Sequence, residues 1–139
     1  MTEQASNSAI TRGAHHIGLT VPNLEQTREF FIQTLGYEQV GEVPEYPAAF
    51  LSDGTTMITL WQAIDPDNAV PFDRKNVIGL HHLALVVEPG FLDGLCERLK
   101  DTAEVDIEFE PEGLGNLPVR HMMCNIPGGI RVEFIAPNA

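Results

Sequence analysis

Two stretches of this chain alternate apolar residues with small or polar ones. Ile17, Leu19 and Val21 stand at period two in residues 15–21, and Leu83, Leu85 and Val87 repeat the pattern in residues 81–87. Each run opens on a histidine pair, His15-His16 and His81-His82. Period two predicts a strand with one buried face, and the return of the whole pattern predicts an internal repeat. After the first strand, Pro22-Asn23 stops the run, and Asn23 with Gln26 three residues on makes a helix start. Leu24, Thr27, Phe31, Thr34 and Leu35 share one helical face, which Gly36 closes. Extended segments follow at residues 37–42, 48–51 and 55–62, with Asp53-Gly54 as a hairpin turn. The second copy keeps this order. Glu88-Pro89-Gly90 stops its strand, and a helix over residues 91–100 carries Leu92, Leu95 and Leu99 inward. Extended segments at 105–109, 119–125 and 129–136 follow, with Pro127-Gly128-Gly129 as the closing turn.

Each half therefore reads strand, helix, strand, strand, strand, an α+β chain of two tandem βαβββ modules. Module one spans 12–63, residues 64–77 form a polar, proline-containing linker, and module two spans 78–137. Residues 1–11 read as a disordered tail with no signal pattern, and 12–139 as a single domain. Neither half has enough core to stand alone, so the halves should pack on each other or on a second chain.

Composition narrows the partners. Twenty acidic residues against eight basic ones give a net charge of −12. Nucleic acid and anionic membranes both require a basic footprint, so neither is expected. An apolar fraction of 43% suffices for a core. No apolar run approaches the length of a membrane span. Cys96 and Cys124 sit in apolar segments and read as buried free thiols in a reducing cytoplasm. The acidic residues 104–112 read as a solvated loop.

Strand parity selects the histidines. His15 and His81 share the side of the core residues and read as structural, whereas His16 and His82 look away from the helices. In the terminal strand Glu133 interrupts an apolar run, which is costly unless the carboxylate is paired or bound to a metal. His16, His82 and Glu133 thus form a candidate set of two imidazoles and one carboxylate that leaves positions open for water and substrate. Thr59 occupies the place in module one that Glu133 holds in module two, and a threonine hydroxyl is a poor ligand. His121, one strand earlier, is a candidate general base near neutral pH. Arg120 and Arg131 are candidates for holding an anionic substrate.

The repeated histidine-led strand, the Phe30-Phe31 to Leu35-Gly36-Tyr37 helix end and Pro127-Gly128-Gly129 before Glu133 together resemble the vicinal oxygen chelate superfamily over about residues 13–137. That superfamily includes glyoxalases, extradiol dioxygenases, bleomycin-resistance proteins and fosfomycin-resistance transferases. The resemblance implies an open barrel-like cleft around one divalent metal ion (Fe, Zn, Ni or Mn). It also implies a homodimer in which His16 of one subunit joins His82 and Glu133 of the other. Glyoxalases usually carry glutamate where Thr59 stands, and extradiol enzymes a tyrosine where Met123 stands, so no branch matches throughout. The expectation is a cytoplasmic, metal-dependent enzyme that chelates neighbouring oxygens of a small-molecule substrate and stabilises an enolate-like intermediate. Its catalytic residues would be Glu133 and His121, with the lyase or isomerase type ahead. The alternatives are an extradiol-type dioxygenase and a metal-free binding protein of the bleomycin-resistance kind.

Overall fold

The computed structural model describes residues 9–138, so most of the tail expected at 1–11 lies outside the described residues. Its strands form two four-stranded sheets, one per repeat. β1 (His16–Val21), β2 (Glu38–Val43), β3 (Ala48–Ser52) and β4 (Met57–Gln62) make the first, in the order β1-β4-β3-β2. β5 (Leu83–Val86), β6 (Asp106–Gly113), β7 (Val119–Asn125) and β8 (Arg131–Pro137) make the second, in the order β5-β8-β7-β6. In each, the first and last strands of the repeat pair in parallel and the others are antiparallel. The register is the same in both copies: Gly18 lies opposite Thr59, and Ala84 lies opposite Glu133. Among the described residues the two sheets are separate, with no ladder closing them into one barrel.

α1 (Leu24–Glu29) starts as its sequence demands, with the Asn23 side chain accepting the Gln26 N–H at 3.1 Å. It then widens into a π-turn over Phe30–Thr34. The extra residue in that turn shifts the inward face, so Phe30 and Phe31 are both buried, a detail that regular helical spacing misses. α2 (Leu92–Lys100) buries Leu92, Cys96 and Leu99, one stripe at i, i+4 and i+7. None of the described helices is long and apolar enough to cross a membrane.

The helical sides of the two repeats share one core in which Val21, Phe31 and Leu60 of the first meet Leu99, Met122 and Phe134 of the second. Polar ties reinforce the seam. The Thr27 hydroxyl donates to the Pro127 carbonyl at 3.0 Å, and Arg98 donates to the Thr34 carbonyl at 2.9 Å. Gly128 is required at this seam: its φ is +104°, and a Cβ there would stand 2.9 Å from the Thr27 oxygen.

The faces of β1 and β5 that point away from this core are uncovered. Along β1, Leu19 and Val21 are buried while His16, Gly18 and Thr20 are exposed. Along β5, Leu83 and Leu85 are buried while Ala84 and Val86 are exposed. The expected alternation holds on both strands, but it does not extend to His15 and His81. Both precede their strands and are exposed, so the expectation that they face the core is corrected.

Residues 104–112 also depart from expectation. They are not a loop: β6 pairs with β7, and Ile107, Phe109 and Pro111 are half-buried between exposed acids. Charge density hid a strict alternation that is the ordinary signature of an edge strand.

Candidate functional site

Module two gathers its ionisable side chains on the exposed face of the β5-β8-β7 ladder. Glu133 enters from the middle of β8 and is only 8% exposed. Histidines flank it. His82 Nε2 lies 3.1 Å from Glu133 Oε1, and His121 Nδ1 lies 2.6 Å from Oε2. The register explains the second contact: Met123 pairs with Glu133 across β7–β8, and His121, two residues away, shares that face. His121 is itself buried and packs edge-on to Phe109 with ring centroids 5.0 Å apart.

An ionised carboxylate only accepts hydrogen bonds, so in the short contact His121 Nδ1 is the donor to Glu133 Oε2. The carboxylate is therefore not the arginine-paired surface acid common at strand edges. It is a buried anion held between two imidazoles.

His16 is not part of this cluster within the chain. Its ring lies on the other sheet, hydrogen-bonded to His15 with the two Nδ1 atoms 2.9 Å apart. Among the described residues no three His, Cys, Asp or Glu side chains surround a common point. One chain thus brings together His82, Glu133 and His121 of the candidate residues, and leaves His16 apart.

The pieces present nonetheless suit a divalent cation. Imidazole nitrogen and carboxylate oxygen are its usual donors, and two donors each about 2.0–2.2 Å from one ion stand roughly 3.0–3.5 Å apart. The 3.1 Å separation of His82 Nε2 and Glu133 Oε1 falls in that range.

Thr59 is spoken for. It is 2% exposed, and its hydroxyl accepts from the Trp61 indole N–H at 2.9 Å. Trp61 stacks edge-on with Tyr46 at 4.6 Å and lies near Phe50 at 5.9 Å, so the module-one face is walled by aromatics. Gly18 makes room for this, since a Cβ there would meet both Thr59 Oγ1 and Trp61 Nε1.

The two arginines, the candidates for holding an anionic substrate, stand in ion pairs. Arg120 pairs with Asp93 at 3.1 Å. Arg131 is buried and binds Glu108 through two bonds of 2.8 Å, from Nε and Nη2. A cavity of about 160 Å³ beside Arg120, lined by Leu92, Asp93 and Pro137, shares no residue with the histidine–glutamate cluster. Cys96 and Cys124 are free and buried, and burial pushes the Cys124 thiol up to about 12.

A family model described as the glyoxalase/bleomycin resistance protein/dioxygenase superfamily matches residues 13–134. The chain belongs to that superfamily. It is 30% identical over 131 residues to the mitochondrial methylmalonyl-CoA epimerase of Bos taurus, covering 86% of this chain and 71% of that protein. It is 27% identical over 143 residues to a 2-epi-5-epi-valiolone epimerase of an Actinomyces species, covering 87% and 77%. A glyoxylase/bleomycin resistance protein/dioxygenase domain from Frankia sp. EAN1pec has the same fold, with a TM-score of 0.78 at 23% identity over 92% of this chain and 93% of that one. The superfamily fold of paired βαβββ modules agrees with the expectation from sequence.

Proposed function

We propose that the chain is a divalent-metal-dependent enzyme that moves a proton at a carbon beside a carbonyl, in a small substrate with two neighbouring oxygens. The observation that carries this reading is the buried Glu133 carboxylate held between His82 and His121. The similarity to two epimerases supports it, since an epimerase removes and returns hydrogen at one carbon.

His82 and Glu133 would hold the ion, and His16 would complete the set from a second copy of the chain. The exposed faces of β1 and β5 support that arrangement, because a single chain leaves both uncovered. When bound, such an ion acts as a Lewis acid toward substrate oxygen. His121 supplies the proton-transfer group: its Nδ1–H is anchored on Glu133, so the neutral ring is held in one tautomer with Nε2 free to take a proton. The aromatic wall of Tyr46, Phe50 and Trp61 would exclude water from the opposite side, which strengthens every charge interaction within.

Elemental analysis of protein purified without added metal tests the first half of this reading, and deuterium uptake from D2O by small 2-substituted 1,3-dicarbonyl compounds tests the second. One divalent ion per chain, lost in His82→Ala and Glu133→Ala, is the expected result. Full retention of metal in both variants would overturn it.

A further inference from the structure

One transverse row of module one has a glycine at each end. Gly18, Thr59, Phe50 and Gly41 stand opposite one another on β1, β4, β3 and β2, and directly opposed residues share a sheet face. Aromatic side chains lean over both glycines. A Cβ at Gly41 would stand 3.0 Å from Phe50 Cδ2, and one at Gly18 would stand 3.4 Å from Trp61 Nε1. Tyr46, 59% exposed, stands edge-on to Trp61. His16 lies on the same face as Gly18, two residues away along β1.

We propose that this aromatic wall selects the substrate by taking an uncharged, planar apolar substituent such as an aryl ring, with Trp61 as the specificity-determining residue. The Trp61 indole N–H donates to Thr59 at 2.9 Å, so its one polar group is satisfied and the ring asks only for apolar contact. Phe50 and Trp61 are half-buried, which leaves aromatic surface for a flat group to cover. Charge argues against an anionic substituent. β1 to β4 contain no Lys or Arg but carry Glu38 and Glu42, and Arg28 on α1 is held by Glu25. A phosphate or carboxylate needs such cations. The substrate then matches the two characters of the site, with its neighbouring oxygens at the ionic end and its planar group at the aromatic end.

The wall's role as a substrate subsite rests on the proton-transfer reading above, but the binding preference does not. Two neutral 1,3-dicarbonyl probes that differ only in a phenyl ring against a methyl group test it by calorimetry on the protein as purified. The phenyl probe should bind roughly 10–100-fold tighter, the range expected for burying one ring. Trp61 is the sole tryptophan of the chain, so its indole N–H gives a single NMR signal that reports on the wall. The phenyl probe should move that signal and the methyl probe should move it far less.

Trp61→Leu should reduce the phenyl preference to roughly threefold or less. Tyr46→Ala, which removes an exposed side chain and leaves the core intact, should lower it independently. Equal affinity for both probes in the wild-type would overturn the proposal, as would an unmoved indole signal or a preference unchanged in both variants. A phenyl probe bearing a para carboxylate that bound as tightly as the neutral one would also overturn it. Phenyl preference without any deuterium exchange would leave the subsite standing and reject the proton-transfer reading. Exchange of both probes at equal kcat/KM would keep that reading and reject the subsite.

Discussion

The two modules are built on one plan and finished differently. Both open on a histidine pair with the same internal hydrogen bond, and both place a small residue, Gly18 or Ala84, opposite the middle of the closing strand. At that middle position module one has Thr59, whose hydroxyl accepts the Trp61 indole N–H beside Tyr46 and Phe50. Module two has Glu133 between His82 and His121. One step earlier on the same strands, Met57 stands opposite His16, whereas Arg131 is locked by Glu108. Duplication has thus conserved the backbone register while dividing labour: one face is apolar and aromatic, the other ionic. A shared fold places the residues; the substituents at two or three register positions decide the chemistry.

The largest effect that can break this comparison is a swap at its centre. Glu133→Ala should abolish stoichiometric metal, because it removes the single carboxylate of the set. Thr59→Ala should leave metal content unchanged and cost only about 1 kcal/mol for the unpartnered Trp61 N–H. Elemental analysis and denaturant melts of the two proteins side by side provide the check. Metal loss in Thr59→Ala would show that module one contributes at its centre after all.

His121 sharpens the division within module two. If Glu133 binds metal and His121 transfers the proton, His121→Phe should retain the metal while lowering kcat by about 10²–10⁴-fold. Metal content and turnover, measured on one preparation, separate the roles. Loss of metal in this variant would make His121 a ligand and not the base.

A mixing experiment tests how the modules meet. In a site shared between subunits, combining His16→Ala with His82→Ala chains builds hybrid dimers with one intact site and one doubly damaged one. Roughly half of the sites in such hybrids should then recover metal. Were every ligand to come from one chain, mixing would restore nothing.

Much of this architecture is legible in the residue pattern. The period-two runs at Ile17–Val21 and Leu83–Val87, the Asn23 cap and the glycine turns each carry a local physical signal, and every one of them has its place in the fold. Parity, carried one residue beyond β5, also singled out His82, which the structure sets 3.1 Å from Glu133. What the pattern hid are facts about partners. Nothing in the neighbourhood of Arg131 reveals that Glu108 will claim two of its nitrogens, because the pairing crosses strands 23 residues apart. The acidic run 104–112 looked solvated because five like charges outweigh four half-buried residues by eye, though not by period. The π-turn that turns Phe30 inward leaves no mark in helical spacing. His81 escaped for a simpler reason: parity applies only inside a strand, and β5 begins two residues later.

The smallest effect concerns the ion pair that only module two has. Arg131 holds the Glu108 carboxyl below its ordinary range through their hydrogen bonds, aided by the Arg131 and Arg74 charges and opposed by partial burial. A depressed carboxyl stabilises the fold above the unfolded value of about 4.3 and loses that contribution as pH falls through the lower folded value. The Glu108 side chain is still 26% exposed, so solvent screening keeps the pair at about 1 kcal/mol. Glu108→Gln should therefore melt slightly earlier than the wild-type at neutral pH. As pH falls below the unfolded carboxylate range and the wild-type carboxyl loses its charge too, the gap should narrow. A gap that stayed constant with pH would mean that Glu108 acts by shape, and that module two owes its ordered arginine to packing instead of charge.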